Sequence, residues 1–239
     1  MKKFYSPETA DKRIIYAKRE LEKEGYTFTK KQENADFILL GVNPDEKHLN
    51  TNKPVFAGNV QQKSNIFDYT KNEAFSIKNA YLTAEGAIAL AVNESKKSLI
   101  NSPVLIIGYG RIGKALKRLL EPFSRDITVC VRNEDAAALA MSKGAKVIGF
   151  DELKNCGRYR FIFNTVPHPV MNEKELISVN INTLLIDLAS FPGGVDNHYA
   201  KKLGIKLIIA RGLPGKYSPE SAGKIVAETV KSIIKEKGL

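Results

Sequence analysis

With 239 residues, 43% hydrophobic and 26% charged, the chain is long enough to bury one large core or two modest ones. No apolar run reaches the length of a membrane span, the start Met1 to Pro7 lacks the apolar stretch of a secretory leader, and two cysteines without metal-ligand spacing exclude a disulfide framework and a zinc site. The expectation is a cytoplasmic protein without a metal. The formal charge of +11 raises nucleic acid as a partner, but the excess lies mostly beyond residue 100, scattered without a Lys/Arg block or interleaved aromatics. An anionic cofactor and an acidic small substrate are expected instead, with neither nucleic acid nor membrane as partner.

In chain order, residues 7–24 read as a helix with Ser6 as N-cap, Pro7 in the first turn, a stripe of Ala10, Ile14, Ala17 and Leu21, and Gly25 as terminator. Phe37 to Val42 and Pro54 to Val60 read as short strands around the polar loop Asn43 to Lys53. The implied amino-terminal layer is small, with no strand before its first helix. Asn79 to Val92 begins polar and becomes apolar and alanine-rich, which predicts a connector helix near 80–97. Thr83 and Glu85 then fall at the start of that helix, where the ordinary reading is a threonine cap with acidic charge in the first turn and the functional one is substrate contact.

Pro103 to Leu120 organises the rest. Val104 to Ile107 show no polar alternation, as in a parallel strand covered on both faces, and Ile112, Ala115, Leu116, Leu119 and Leu120 form one helical stripe. Between them lies Gly108-x-Gly110-x-x-Gly113, with Arg111 and Ile112 opening the helix. The first glycine allows the turn, the second lets backbone approach a pyrophosphate, and the third lets helix and strand pack closely, while the helix N-terminus faces the anion. Ile127 to Val131 supply the next strand, followed by Arg132 and Asn133. Where an acidic residue would hold the ribose hydroxyl of NAD, a guanidinium and an amide suit a 2′-phosphate, so the expected cofactor is NADP.

Strand signals recur at Val147 and Ile148, Phe161 to Asn164, Leu184 to Leu188 and Leu207 to Ala210, making six with the first two. Such alternation predicts right-handed crossovers and a parallel sheet with its ligand crevice beyond the carboxyl ends of the strands. The expected fold is α/β, a doubly wound parallel sheet of Rossmann type (98–239) with a smaller amino-terminal α/β domain (1–97), and a helix Ala222 to Lys235 crossing back. Three strand-end loops rich in Pro and Gly then carry candidate residues: Asn164, Thr165, Val166 and Pro167 bordering a nicotinamide; Asp187, Leu188, Ala189, Ser190, Gly193 and Gly194; and Arg211 to Lys216, with Gly212 and Lys216 toward the substrate. Asp187 suits either a ligand role or a turn partner for its own loop. His168, between two prolines, could move protons, although an exposed loop histidine is more often a bystander.

Thr83-Ala-Glu-Gly86, Gly108 to Gly113, Asn164-Thr-Val-Pro167, Leu185-Ile-Asp-Leu-Ala-Ser190 with Pro192-Gly-Gly194, and Gly212-Leu-Pro-Gly215 with Ser218-Pro219 and Ala222-Gly223 together resemble the dipicolinate synthase A-subunit family over residues 79–239. The resemblance implies NADP-linked oxidation of the cyclic imino dicarboxylate 4-hydroxytetrahydrodipicolinate, with loss of water, to dipicolinate in the mother cell of a sporulating bacterium, in an oligomer with a flavoprotein-like B-subunit. On that reading Thr83, Glu85 and Ser190 are the catalytic residues, Glu85 the proton acceptor, and Ser190, Gly193, Gly194, Gly212 and Lys216 contact the substrate. Two departures bear on it: the amino-terminal part lacks the expected opening strand and glycine turn, and position 191 is Phe where the family commonly has a basic residue. The alternatives are another NADP-linked oxidoreductase of small keto or imino acids, or a non-catalytic protein that binds nucleotide for a partner.

Overall fold

In the computed structural model, which describes residues 1–239, the chain opens on a strand, Lys3–Tyr5 (β1), which corrects the expectation that none precedes the first helix. Three residues flanked by lysines carry no readable alternation, and pairing supplies what the local pattern does not: Phe4 is fully buried and lies beside Phe37 in register. No glycine occurs in the turn that follows, residues 6–11.

The first helix (α1) spans Lys12–Lys23, not 7–24, and its N-cap is Asp11, not Ser6. Residues 6–11 are needed to leave the sheet, and an Asp carboxylate accepting from the Arg13 N–H at 3.0 Å is the stronger cap. Gly25 takes φ +87 just past the helix end, as a terminator should. The strands Thr27–Phe28 (β2), Phe37–Val42 (β3), Val55–Gly58 (β4) and Ile66–Asp68 (β5) complete a five-stranded parallel sheet in the order β2-β1-β3-β4-β5, larger than the two strands expected. Phe4, Phe37 and Phe56 form its aromatic spine, with centroids 5.8 and 5.4 Å apart.

The connector helix (α2) is Glu73–Glu94, starting well before the expected 80. Asn72 begins it, its Oδ1 accepting from the Phe75 N–H at 3.0 Å, so the capping reading of Thr83 and Glu85 is corrected: both lie in the helix interior.

The second sheet follows the sequence pattern closely. Val104–Ile107 (β6), Arg111–Leu120 (α3), Ile127–Cys130 (β7), Glu134–Ser142 (α4), Lys146–Ile148 (β8), a 3-10 segment Phe150–Arg158, Phe161–Asn164 (β9), Glu173–Leu176 (α5), Leu184–Asp187 (β10), Asn197–Lys202 (α6) and Lys206–Ile209 (β11) alternate as predicted. All six strands are parallel, in the order β11-β10-β9-β6-β7-β8. This is the doubly wound dinucleotide-binding order, with its topological switch point between β6 and β9. Cys130 and Cys156 are both buried in this half, the latter in the 3-10 segment.

After Leu213–Tyr217 (α7), the last helix (α8) runs Pro219–Lys237, longer at both ends than predicted. Its contact with α1 depends on Gly223, where a Cβ would stand 2.5 Å from the Arg13 carbonyl oxygen and 2.8 Å from the Ala17 nitrogen. By packing, the chain forms two units, residues 1–82 with 214–239, and residues 83–213, whereas the sequence pattern divides it at 97/98. No helix is long and apolar enough to cross a membrane.

Candidate active site

The three glycines after β6 meet three different surroundings. Gly108 has φ +93, and a Cβ on it would fall 2.5 Å from Thr165 Oγ1 and 2.8 Å from Val166 Cγ2. At Gly113 a Cβ would lie 2.2 Å from the Gly108 carbonyl oxygen, so helix and turn touch backbone to backbone. Gly110, the N-cap of α3, meets nothing within 4 Å and has no side-chain cap. The first and third glycines are thus required by the fold. The second leaves open space before the helix N-terminus, where a pyrophosphate would be received by main-chain N–H groups beginning at Arg111 and Ile112.

Beyond β7, Arg132 is exposed and lies over the Phe150 ring, 5.5 Å from its centroid, with no acidic residue in its place. Asn133 is the N-cap of α4, its Oδ1 accepting from the Ala136 N–H at 2.8 Å. Its amide N–H groups remain directed by that cap, so the sequence assignment of both residues to a 2′-phosphate rests chiefly on the Arg132 charge. The residues present fit a dinucleotide cofactor.

The strand-end loops behave differently from expectation. Asn164 and Asp187, both expected beside the cofactor, are buried, and their side chains bind protein. Asn164 Nδ2 donates to Asp187 Oδ1 at 2.8 Å and to the Val166 carbonyl at 3.0 Å, while its Oδ1 accepts from the Val166 N–H at 3.1 Å. Asp187 further accepts from the Ala189 N–H at 3.1 Å and the Gly194 N–H at 3.0 Å. Asp187 is thus a turn partner for its own loop. Leu188, Ala189, Gly193 and Gly194 are buried with it, whereas Ser190 is exposed at the loop's outer end. Thr165 Oγ1 donates to the Ile107 carbonyl at 2.9 Å, tying this loop to the end of β6, and Pro167 is exposed.

Elsewhere, His168 is exposed with Nδ1 3.3 Å from the Pro169 carbonyl oxygen. Thr83 is buried and Glu85 exposed on α2; both belong to the second unit. Gly212 is exposed with φ +68, and Lys216 is exposed on α7. The residue that sequence reasoning passed over is Arg211, read only as the start of a loop; the available signal was an arginine directly after a strand with no acidic residue in its loop.

A cavity of 320 Å³ lined by Met1, Asp36, Phe37, Pro54, Phe56 and Leu239 lies at the amino ends of β3 and β4, the end of a parallel sheet opposite to that used for ligands. No group of three or more His, Cys, Asp or Glu side chains is placed to hold a metal ion.

No family model matches the sequence. Among curated proteins, the chain is 33% identical to the dipicolinate synthase A-subunit of Bacillus subtilis (strain 168) over 177 residues, 74% of this chain and 60% of that protein's length. In fold it matches the crystal structure of the dipicolinate synthase A chain from Bacillus subtilis with a TM-score of 0.86 and 25% identity, covering 99% of this chain and 96% of that one. The dipicolinate synthase A-subunit from Bacillus halodurans gives the same TM-score at 22% identity, covering 98% and 97%. The resemblance carried by the glycine fingerprint and the strand-end motifs is therefore borne out twice over, and the chain is similar in sequence and in α/β Rossmann-type fold to the A-subunit of dipicolinate synthase.

Proposed function

We propose that the chain is an NAD(P)-linked oxidoreductase, and specifically the NADP-binding A-subunit of a dipicolinate synthase, oxidising 4-hydroxytetrahydrodipicolinate with loss of water to dipicolinate. The observation that carries this reading is the open cradle at Gly110 between two glycines the fold cannot replace, with Arg132 and not an acid beyond β7. Bound NADP+ would supply the hydride acceptor.

The chain's own groups do the remainder. Main-chain N–H groups at the start of α3 neutralise the pyrophosphate, and Arg132 selects the 2′-phosphate. The Asn164–Asp187 pair holds the loops after β9 and β10 rigid, which presents Thr165 to Pro167 and Ser190 at fixed positions for the nicotinamide end and the substrate. Glu85 takes the proton released as the ring becomes aromatic, Thr83 and Ser190 orient the substrate, and Gly212 contributes backbone. Because aromatisation drives the oxidation, modest acid–base help suffices. By analogy with the family, the partner is a flavoprotein-like B-subunit in an oligomer, in the mother cell of a sporulating bacterium.

The test is the nicotinamide absorbance on mixing the chain, NADP+ and 4-hydroxytetrahydrodipicolinate, with and without the B-subunit. Formation of reduced cofactor, lost in Glu85→Gln, Thr83→Ala and Ser190→Ala while nucleotide affinity is kept, supports the assignment. Turnover of another keto or imino acid, but not of this substrate, would move the reading to a different NADP-linked oxidoreductase. Phe191, 83% exposed where the family commonly carries a base, is the observation that favours this second reading.

A further inference from the structure

Arg211 follows β11, and its guanidinium lies on the loop that follows β10. Nε donates to the Ala189 carbonyl at 3.3 Å, Nη2 to the Pro192 carbonyl at 3.2 Å, and Cζ sits 5.7 Å from the centre of the Phe191 ring. Gly193 makes room for this: a Cβ there would stand 3.4 Å from Nη2 and 2.7 Å from Asp187 Oδ2, and its φ of +96 disfavours any side chain.

Main-chain carbonyls and an aromatic face orient a guanidinium without cancelling its charge. The contrast is Arg158, which also lies over a ring, that of Tyr159, but pairs with the Asp126 carboxylate. A guanidinium carries five N–H donors in one plane. One on Nε and one on Nη2 are used here, leaving those of Nη1 and the second on Nη2, in the forked arrangement that fits a carboxylate. Held at three points, the side chain has little freedom left to lose on binding.

Its place in the sheet gives the charge a role. The order β11-β10-β9-β6-β7-β8 puts Arg132, after β7, on one side of the switch point and Arg211, after β11, on the other. A dinucleotide anchored at α3 with its 2′-phosphate toward Arg132 directs its nicotinamide toward the loops after β9 and β10. We propose that Arg211 is the residue that binds a carboxylate of the substrate, with Phe191 as the platform that holds its plane and Gly193 as the spacing that admits it. The proposal rests on the cofactor orientation given under the proposed function, and it makes the exposed Phe191 part of the site.

Calorimetric titration of the full chain, with and without NADP+, with pyridine-2,6-dicarboxylate, pyridine-2-carboxylate and 2-oxoglutarate tests it. The expected result is carboxylate binding weakened about 10–100-fold in Arg211→Ala, less in Arg211→Lys, with NADP+ affinity unchanged. Arg211→Gln, which keeps hydrogen-bond donors for the two loop carbonyls, serves should Arg211→Ala fail to fold, and the same loss is expected of it. Loss of pyridine-2,6-dicarboxylate binding upholds both this proposal and the substrate reading. Arg211-dependent binding of 2-oxoglutarate alone upholds Arg211 and overturns the substrate. Carboxylate binding indifferent to the Arg211 variants, or no binding of any of the three by the unsubstituted chain, overturns the proposal.

Discussion

Asn164 and Asp187, register partners at the ends of β9 and β10, join through a 2.8 Å hydrogen bond from Nδ2 to Oδ1, with both side chains buried. The pair also fastens the two loops that follow, Asn164 holding the Val166 main chain and the Asp187 carboxylate accepting from the Ala189 and Gly194 N–H groups. Asp187→Ala leaves three buried donors without an acceptor, and the expected loss is about 3–5 kcal/mol of folding stability. Urea unfolding of the two proteins measures it. A loss under about 1 kcal/mol would mean that the loops close without this carboxylate.

The glycines of the cradle separate folding from binding. Gly113→Ala sets a Cβ 2.2 Å from the Gly108 carbonyl oxygen, a backbone atom that cannot swing aside, so a fall in the unfolding midpoint is expected. Gly110→Ala meets open space, so stability is expected to hold or rise slightly while NADP(H) affinity falls at least about 10-fold, because the new methyl occupies the approach to the pyrophosphate. Thermal unfolding and calorimetry on the same samples read both. Normal nucleotide binding by Gly110→Ala would place the pyrophosphate elsewhere.

Cofactor choice turns on Arg132. Arg132→Ala is expected to cost about 10–100-fold in NADP(H) affinity and little in NAD(H) affinity. Equal losses for both would assign Arg132 to packing on Phe150 instead.

Burial raises the Cys156 thiol to about 12, with Glu175 adding to the push, and raises Cys130 as well, again chiefly by burial. In the unfolded chain both ionise near the ordinary thiol value of about 8.5, whereas the folded chain keeps them protonated. The favourable contribution is therefore complete below that pH and declines as pH rises toward the folded value, by about 1.4 kcal/mol per pH unit per thiol. Urea unfolding at neutral pH and near pH 9.5 should show the decline, and Cys156→Ala should flatten it. Alkylating reagents should label neither thiol in the folded chain at neutral pH.

Much of the second unit was legible because its signals are local. Val104 to Ile107 and Leu184 to Ile186 are apolar runs with no alternation, which specifies strands covered on both faces wherever they pair. The glycine spacing likewise fixes a turn and the close approach of Gly113 to Gly108, five residues back, and the resemblance to the dipicolinate synthase A-subunit rests on such short motifs.

Tertiary structure decided what depends on partners distant in sequence. β1 exists because Phe4 pairs beside Phe37, the start of α1 because Asp11 offers a better cap than Ser6, and the place of Thr83 and Glu85 because α2 begins at Glu73. Asn164 and Asp187 read in sequence only as strand-end polar residues; the register of β9 and β10 turns them toward each other. The Arg211 guanidinium, 22 residues from Ala189 in sequence, reaches that loop because β10 and β11 are neighbours in the sheet. Periodicity and spacing set which residues are strand, helix or turn; parallel pairing across crossovers sets which polar groups are consumed inside the protein and which are left facing a ligand.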